Sequence, residues 1–179
     1  MGAFVRHIRT KATRHTEAIT DGVEIRKGVA ADAAAIARLL HDFNTEFSEP
    51  TPGVDWLTER LGALLESGEV VVLLAGGSGD AIGSPLGLAV MRLRRGLWDE
   101  GAEAYLQELY VVPARRGEGI GRALLEATMT TARAAGATTL DLNTSTDDPA
   151  AIGLYESAGF TNREGSPDGP SMLFYEREL

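Results

Sequence analysis

The stretch from Leu106 to Leu125 constrains this chain more than any other. Leu106-Gln107-Glu108-Leu109-Tyr110-Val111-Val112 reads as a strand, and Pro113 ends it because proline has no N–H to give to the ladder. Arg115-Arg116-Gly117-Glu118-Gly119-Ile120-Gly121 then turns straight into a helix opening with Arg122-Ala123-Leu124-Leu125. The first N–H groups of a helix have no partner inside it and lie at the positive end of its dipole. Glycines let a phosphate come close to that backbone. The segment therefore predicts a pyrophosphate cradle inside an α/β fold.

Spacing separates three kinds of cradle. A Walker A loop needs G-x-x-x-x-G-K-[ST], and no lysine follows Lys27. A dinucleotide-binding loop needs G-x-G-x-x-G, whereas Gly117-x-Gly119-x-Gly121 is followed by Arg122-Ala123-Leu124, so the third glycine is misplaced. What remains is Arg116-x-x-Gly119-x-Gly121, preceded by Val111-x-Pro113. This resembles the coenzyme A signature Q/R-x-x-G-x-G/A of the GNAT superfamily of N-acetyltransferases.

A second block resembles the same family. Asp148-Pro149-Ala150-Ala151-Ile152-Gly153-Leu154-Tyr155-Glu156-Ser157-Ala158-Gly159-Phe160 is similar to N-x-x-A-x-x-L-Y-E-x-x-G-F, about thirty residues after the first block as in the family. Tyr155 falls where members often keep a general acid; on its own it would read equally well as an aromatic packed on an amphipathic helix. Two positions depart from the pattern. Asp148 stands where Asn is usual; it still suits a helix N-cap but is less welcome beside a pyrophosphate. Asn143 stands where the ribosomal-protein acetyltransferases carry a Glu as base, which moves base duty elsewhere or onto water.

The rest of the chain is consistent with this. Its 179 residues suit one domain. Residues 1–22 read as a basic extension, with Arg6, Arg9, Lys11 and Arg14 and no acid through Thr16, and 23–179 as a single N-acetyltransferase domain. Strands are expected at 23–26, Glu69–Ala75, Pro85–Arg94, Glu103–Val112, Thr138–Thr144 and Met172–Glu178, with a further short one near Phe160. Helices are expected at Ala33–Phe43, Trp56–Ser67, Gly121–Ala135 and Pro149–Ala158. The order β-α-α-β-β-β-α-β-α-β predicts a mixed sheet flanked by helices; the resemblance implies a mostly antiparallel, twisted one.

Composition excludes other chemistries. Without cysteine there is no disulfide, cysteine nucleophile or thiolate metal site, and His7, His15 and His41 are too few and too scattered to suggest a zinc site, so no metal is expected. A net charge of −9 argues against nucleic acid, which needs a basic face. No segment reaches the ~20 apolar residues of a membrane span, and the N-terminus lacks a secretory h-region, so the expectation is a cytoplasmic protein off the membrane. Nothing in the sequence decides against a homodimer.

The resemblance implies acetyl-CoA as co-substrate, with its thioester in a gap where two strands splay apart. Backbone groups of Leu109, Tyr110 and Val111 would hold the pantetheine arm and the carbonyl oxygen. Arg116, Gly117, Glu118, Gly119, Ile120, Gly121 and Arg122 would surround the phosphates, with Asp148 nearby. Arg115, Arg116 and Arg122 flank the cradle, yet their backbone amides count for more than their side chains. Amide formation needs a neutral amine, so a base must take its proton. Glu108 is the candidate, as base or equally as anchor for a cationic acceptor, since apolar strand neighbours raise a carboxyl pKa. Alternation puts Glu108 and Tyr110 on one face and Leu109 and Val111 on the other.

The resemblance implies a small-molecule or peptide amine as acceptor. Asp42, Glu46, Glu49, Asp55, Glu59 and Glu66, against Arg60 alone, would draw a cation towards the first two helices, although ordinary helix solvation explains them as well. The rival reading is a catalytically silent acyl-CoA-binding or regulatory domain, which would have no need of Tyr155.

Overall fold

The computed structural model describes residues 19–20, 23–77, 84–97 and 100–177. The basic residues Arg6, Arg9, Lys11 and Arg14 lie outside the described residues, as does most of the Gly/Ser-rich loop after Gly77. Six strands form one sheet in chain order: β1 (Ile19–Thr20), β2 (Val23–Lys27), β3 (Val71–Gly77), β4 (Gly87–Arg95), β5 (Ala102–Val111) and β6 (Ala137–Asp141). β1 to β5 pair antiparallel and β6 joins β5 in parallel, the mixed and mostly antiparallel sheet expected. Four helices accompany it: α1 (Ala33–Glu46), α2 (Val54–Ser67), α3 (Ile120–Ala134) and α4 (Pro149–Ser157). Ile19–Thr20 pairs with Val23–Glu24, so the sheet begins inside the stretch assigned to the extension.

The sheet is covered on both faces, which is why β3 and β4 read as near-continuous apolar runs. On the front, Ile36 and Leu39 of α1 and Leu61 and Leu64 of α2 pack on Val72, Leu74, Leu88, Val90 and Tyr110. On the back, Ile120, Leu124 and Leu125 of α3 pack on Ile25, Leu73, Ala75, Ala89 and Leu106. Each such side chain contributes roughly 1.5–3 kcal/mol on leaving water. Local chemistry sets the helix ends. Asp32 makes a two-pronged ion pair with Arg26 (2.7 and 2.8 Å) and accepts the Val29 N–H, fixing the entry to α1 against β2. Gly68, at φ 74°, closes α2 in the left-handed conformation that glycine adopts without cost.

The closing strand expected at Met172–Glu178 does not join the sheet, and no strand forms near Phe160. The chain turns between Glu164 and Pro170, makes one bridge between Arg163 and Ser171, bonds Met172 N–H to Asn162 O (2.7 Å), and then runs on without a strand partner. Leu173, Phe174 and Tyr175 are 70%, 65% and 84% exposed. An apolar run such as Met172–Tyr175 is strand-capable by composition; it becomes a strand only where ladder hydrogen bonds form, and residues 172–177 do not pair with β6 at the end of the sheet.

Candidate active site

β5 and β6 are paired from Ala102↔Ala137 to Tyr105↔Asp141 and then diverge. Just beyond, the register of β5 on β4 steps from Met91↔Leu106 to Val90↔Glu108, leaving Gln107 as the extra residue of a β-bulge. The bulge reverses the alternation along β5. Leu106 belongs to the core behind the sheet, while Tyr110 packs in front against Phe43, with ring centroids 5.1 Å apart. Leu109 and Val111 face the back, the side expected for them.

Glu108 lies on the bank of this gap, half-buried; desolvation raises its pKa, and the Gln107 side chain opposes this with a hydrogen bond. From α4, Tyr155 packs on the back-face core and edge-on to Phe160, with centroids 6.0 Å apart. Burial first, and then the nearby charges of Asp148 and Glu108, push its hydroxyl up to about 12. The structure thus brings Glu108 and Tyr155 within electrostatic reach from strand and helix. Tyr105, on the same bank as Glu108, donates its hydroxyl hydrogen bond to Asn143 just past β6.

At the far end of the gap Pro113–Arg115 forms a short 3-10 turn, and the chain enters α3 at Gly119. Gly119 has φ 81°, where a side chain would be strained, and no side chain caps α3. The N–H groups of Ile120, Gly121 and Arg122 are the first-turn donors that lack a partner within the helix. A Cβ on Gly121 would meet Leu154 at 3.6 Å and Val111 at 3.8 Å, ordinary contacts. The cradle therefore fits an anionic phosphate through backbone groups alone.

The cradle arginines are engaged elsewhere. Arg115 pairs with Glu118 (2.8 Å), and Arg122 donates to Ser157 Oγ (2.9 Å). Arg116 makes a two-pronged pair with Glu46 of α1 (2.6 and 2.8 Å), donates to Val111 O (3.0 Å) and lies over the Tyr110 ring at 5.6 Å. Its hydrogen bonds hold the Glu46 carboxyl below the usual carboxylate range. Glu46 is thereby removed from the free acidic rim in which the sequence had placed it. It lies 70 residues from Arg116, and no local pattern announces the pair. Asp148 caps α4, accepting the Ala151 N–H at 2.9 Å, ahead of Pro149.

An open cavity of about 370 Å³ lies beside α1, lined by Arg26, Asp32, Arg38, Asp42 and Val112 among others. It holds none of the site residues expected from the sequence. Among the described residues no group of three or more His, Asp or Glu is placed to hold a metal, and no helix is long and apolar enough to cross a membrane.

The comparisons with known proteins agree with this geometry. Residues 35–160 match the Acetyltransferase (GNAT) family. The chain is 33% identical over 147 residues to the uncharacterized N-acetyltransferase YhfO of Bacillus subtilis (strain 168), covering 80% of this chain and 93% of that one. It is 32% identical over 150 residues to the aminoglycoside N(6')-acetyltransferase type 1 of Stenotrophomonas maltophilia, covering 82% and 91%. A crystal structure of a candidate acetyltransferase from Arthrobacter sp. FB24 superposes with a TM-score of 0.76 at 44% identity, covering 96% of this chain and all of that one. With the strand–cradle–helix unit in place and the match running through well over half its length, this chain is an acetyltransferase of the GNAT family.

Proposed function

We propose that the protein moves the acetyl group of acetyl-CoA onto a primary amine by direct attack within a ternary complex. The observation that carries this reading is the gap that opens after Tyr105↔Asp141 and runs past Glu108 towards the uncapped start of α3. The N–H groups of Ile120, Gly121 and Arg122 receive the pyrophosphate, and the backbone of Glu108–Val111 on the side of β5 away from β4 holds the pantetheine arm and the thioester oxygen, with Val111 O already accepting from Arg116. Asp148 is occupied as the cap of α4, so it acts on the coenzyme only through its position.

Glu108 takes a proton from the incoming ammonium, directly or through one water, freeing the lone pair. Nitrogen then bonds to the carbonyl carbon, the C–S bond breaks with its electron pair leaving on sulfur, and the second proton of the nitrogen passes through water to that thiolate, so that the products are the amide and the free thiol. Tyr155 donates a hydrogen bond to that sulfur. With its hydroxyl at about 12 and a thiol near ~8.5, full proton transfer is uphill by about 5 kcal/mol, so Tyr155 stabilises the departing thiolate mainly by hydrogen bonding. A silent acyl-CoA-binding domain would need neither Glu108 nor Tyr155 at this gap.

The acceptor is a small cationic amine. Asp42, Glu49 and Asp55 remain on the α1–α2 side together with exposed Phe47 and Trp56, and the aminoglycoside-acetylating relative is similar over most of its length. Such a substrate, with acetyl-CoA, places the enzyme in the cytoplasm. Release of free thiol from acetyl-CoA is the test, across polyamines, aminoglycosides, simple amines and peptides. Amine-dependent release with at least one small amine is expected. Release with peptides alone would overturn the acceptor class, and none with any acceptor would overturn the reaction.

A further inference from the structure

The shape of the gap bears on which acyl groups it admits, a question that rests on the acyl-transfer reading above. Its closed end is defined on three sides. Within the sheet, β5 and β6 remain hydrogen-bonded as far as Tyr105↔Asp141, so no chain passes between them below that point. Behind the sheet, Leu106 is buried, and Leu140 and Leu142 pack against the same α3-facing core. In front, the two banks are tied by the hydrogen bond from the Tyr105 hydroxyl to the Asn143 amide oxygen, across 38 residues of sequence. Tyr105 faces front because its neighbours Ala104 and Leu106 are both buried behind. The side left open is towards Glu108, where the bulge at Gln107 separates the banks.

We propose that the Tyr105–Asn143 bridge is the acyl-length gauge of this enzyme: a two-carbon acyl group fits above it and longer chains run into it. An acyl group carried down the gap from the α3 cradle points its tail at the closed end. An acetyl methyl ends there, whereas a propionyl or butyryl tail must break the bridge or turn towards Glu108, into the path of the amine. Asn143 is solvent-exposed, so its tie to Tyr105 is not forced by burial of an unpaired polar group. Asn143 and Tyr105 thus determine specificity by limiting space, while Glu108 takes the amine proton and Tyr155 donates its hydrogen bond to sulfur.

The test compares kcat/KM for acetyl-CoA, propionyl-CoA and butyryl-CoA on the full chain, with one amine that supports turnover. One methylene against a closed wall is worth about 10–200-fold, so the wild type should prefer acetyl to propionyl by about tenfold or more. Asn143→Ala and the nearly isosteric Tyr105→Phe should each raise propionyl-CoA turnover in absolute terms and narrow the preference by about fivefold or more. General damage to the fold lowers both rates and cannot raise one of them. A wild type indifferent to chain length, or variants with an unchanged acetyl-to-propionyl ratio, would overturn the gauge while leaving acetyl transfer intact. A wild type that releases thiol from none of the three thioesters would overturn the acetyl-transfer reading and the gauge with it.

Discussion

The two banks of the gap between β5 and β6 are built to different standards. β5 is paired with β4 from Ala102 to Val111 with only the bulge at Gln107 interrupting the ladder, and Ala104, Leu106 and Tyr110 are buried on its two faces. β6 pairs with β5 over Ala102–Tyr105, none of its residues is fully buried, and α4 after it has no buried residue either. The first bank carries Glu108 and leads into the cradle; the second carries Asn143 and, through α4, Tyr155. A site made this way has one fixed wall and one thinly anchored wall; on the proposed reaction the first would position the thioester and the second would supply groups acting on it. Local stability follows buried apolar contact, so the second wall belongs to the readily opened part of the molecule.

Stability gives the largest contrast. Leu106→Ala on the fixed bank should cost about 2–5 kcal/mol in denaturant unfolding, whereas Leu140→Ala on the other should cost under about 2 kcal/mol because its side chain is only partly buried. Equal costs would erase the distinction between the banks. Gly121→Asp comes next. Its backbone accepts a Cβ, so the fold should hold, but the new carboxylate faces the phosphates at the start of α3. Acetyl-CoA affinity measured by titration calorimetry should fall by about 3 kcal/mol, roughly a hundredfold; unchanged affinity would remove the cradle from the coenzyme site.

Tyr155→Phe keeps the ring on Phe160 and removes the hydroxyl. It should lower kcat about tenfold or more, with little change in acetyl-CoA KM and unfolding within about 0.5 kcal/mol of wild type. Loss of stability without loss of kcat would make Tyr155 a packing residue. Glu108→Gln should have the smallest effect and the most informative one. Burial raises the Glu108 pKa, so ionising this carboxyl costs folding energy once the pH passes its unfolded value of about 4.3. The variant should therefore match wild type in Tm at pH 4 and exceed it at pH 7. At saturating acceptor its kcat should fall a few fold and lose the acidic limb. A rise in acceptor KM with that limb intact would make Glu108 an anchor instead.

Much of this architecture is local and therefore legible. Pro113 ends β5, Gly119 starts α3 in a left-handed conformation, Asp148-Pro149 opens α4, and nine of the expected strands and helices stand within a few residues of where period and punctuation put them. These features depend on residues within a turn or two of one another, and the cradle is one of them.

What the sequence could not show are relations between distant segments. The bulge at Gln107 shows only in the register of β5 on β4, and it reverses the faces along β5 without changing any residue's propensity. Glu46 looks like one acid of a solvated rim until Arg116 is seen opposite it. Asn143 looks like a missing base until the Tyr105 hydroxyl reaches it. Met172–Tyr175 is an apolar run of strand length, yet it does not pair with β6 at the end of the sheet. Composition, period and glycine placement alone determined an α/β chain with a glycine-rich turn between a strand and a helix. The tertiary structure decided which side chains meet across the gap, because a hydrogen bond between distant residues forms only where the packing of the whole sheet brings donor and acceptor together.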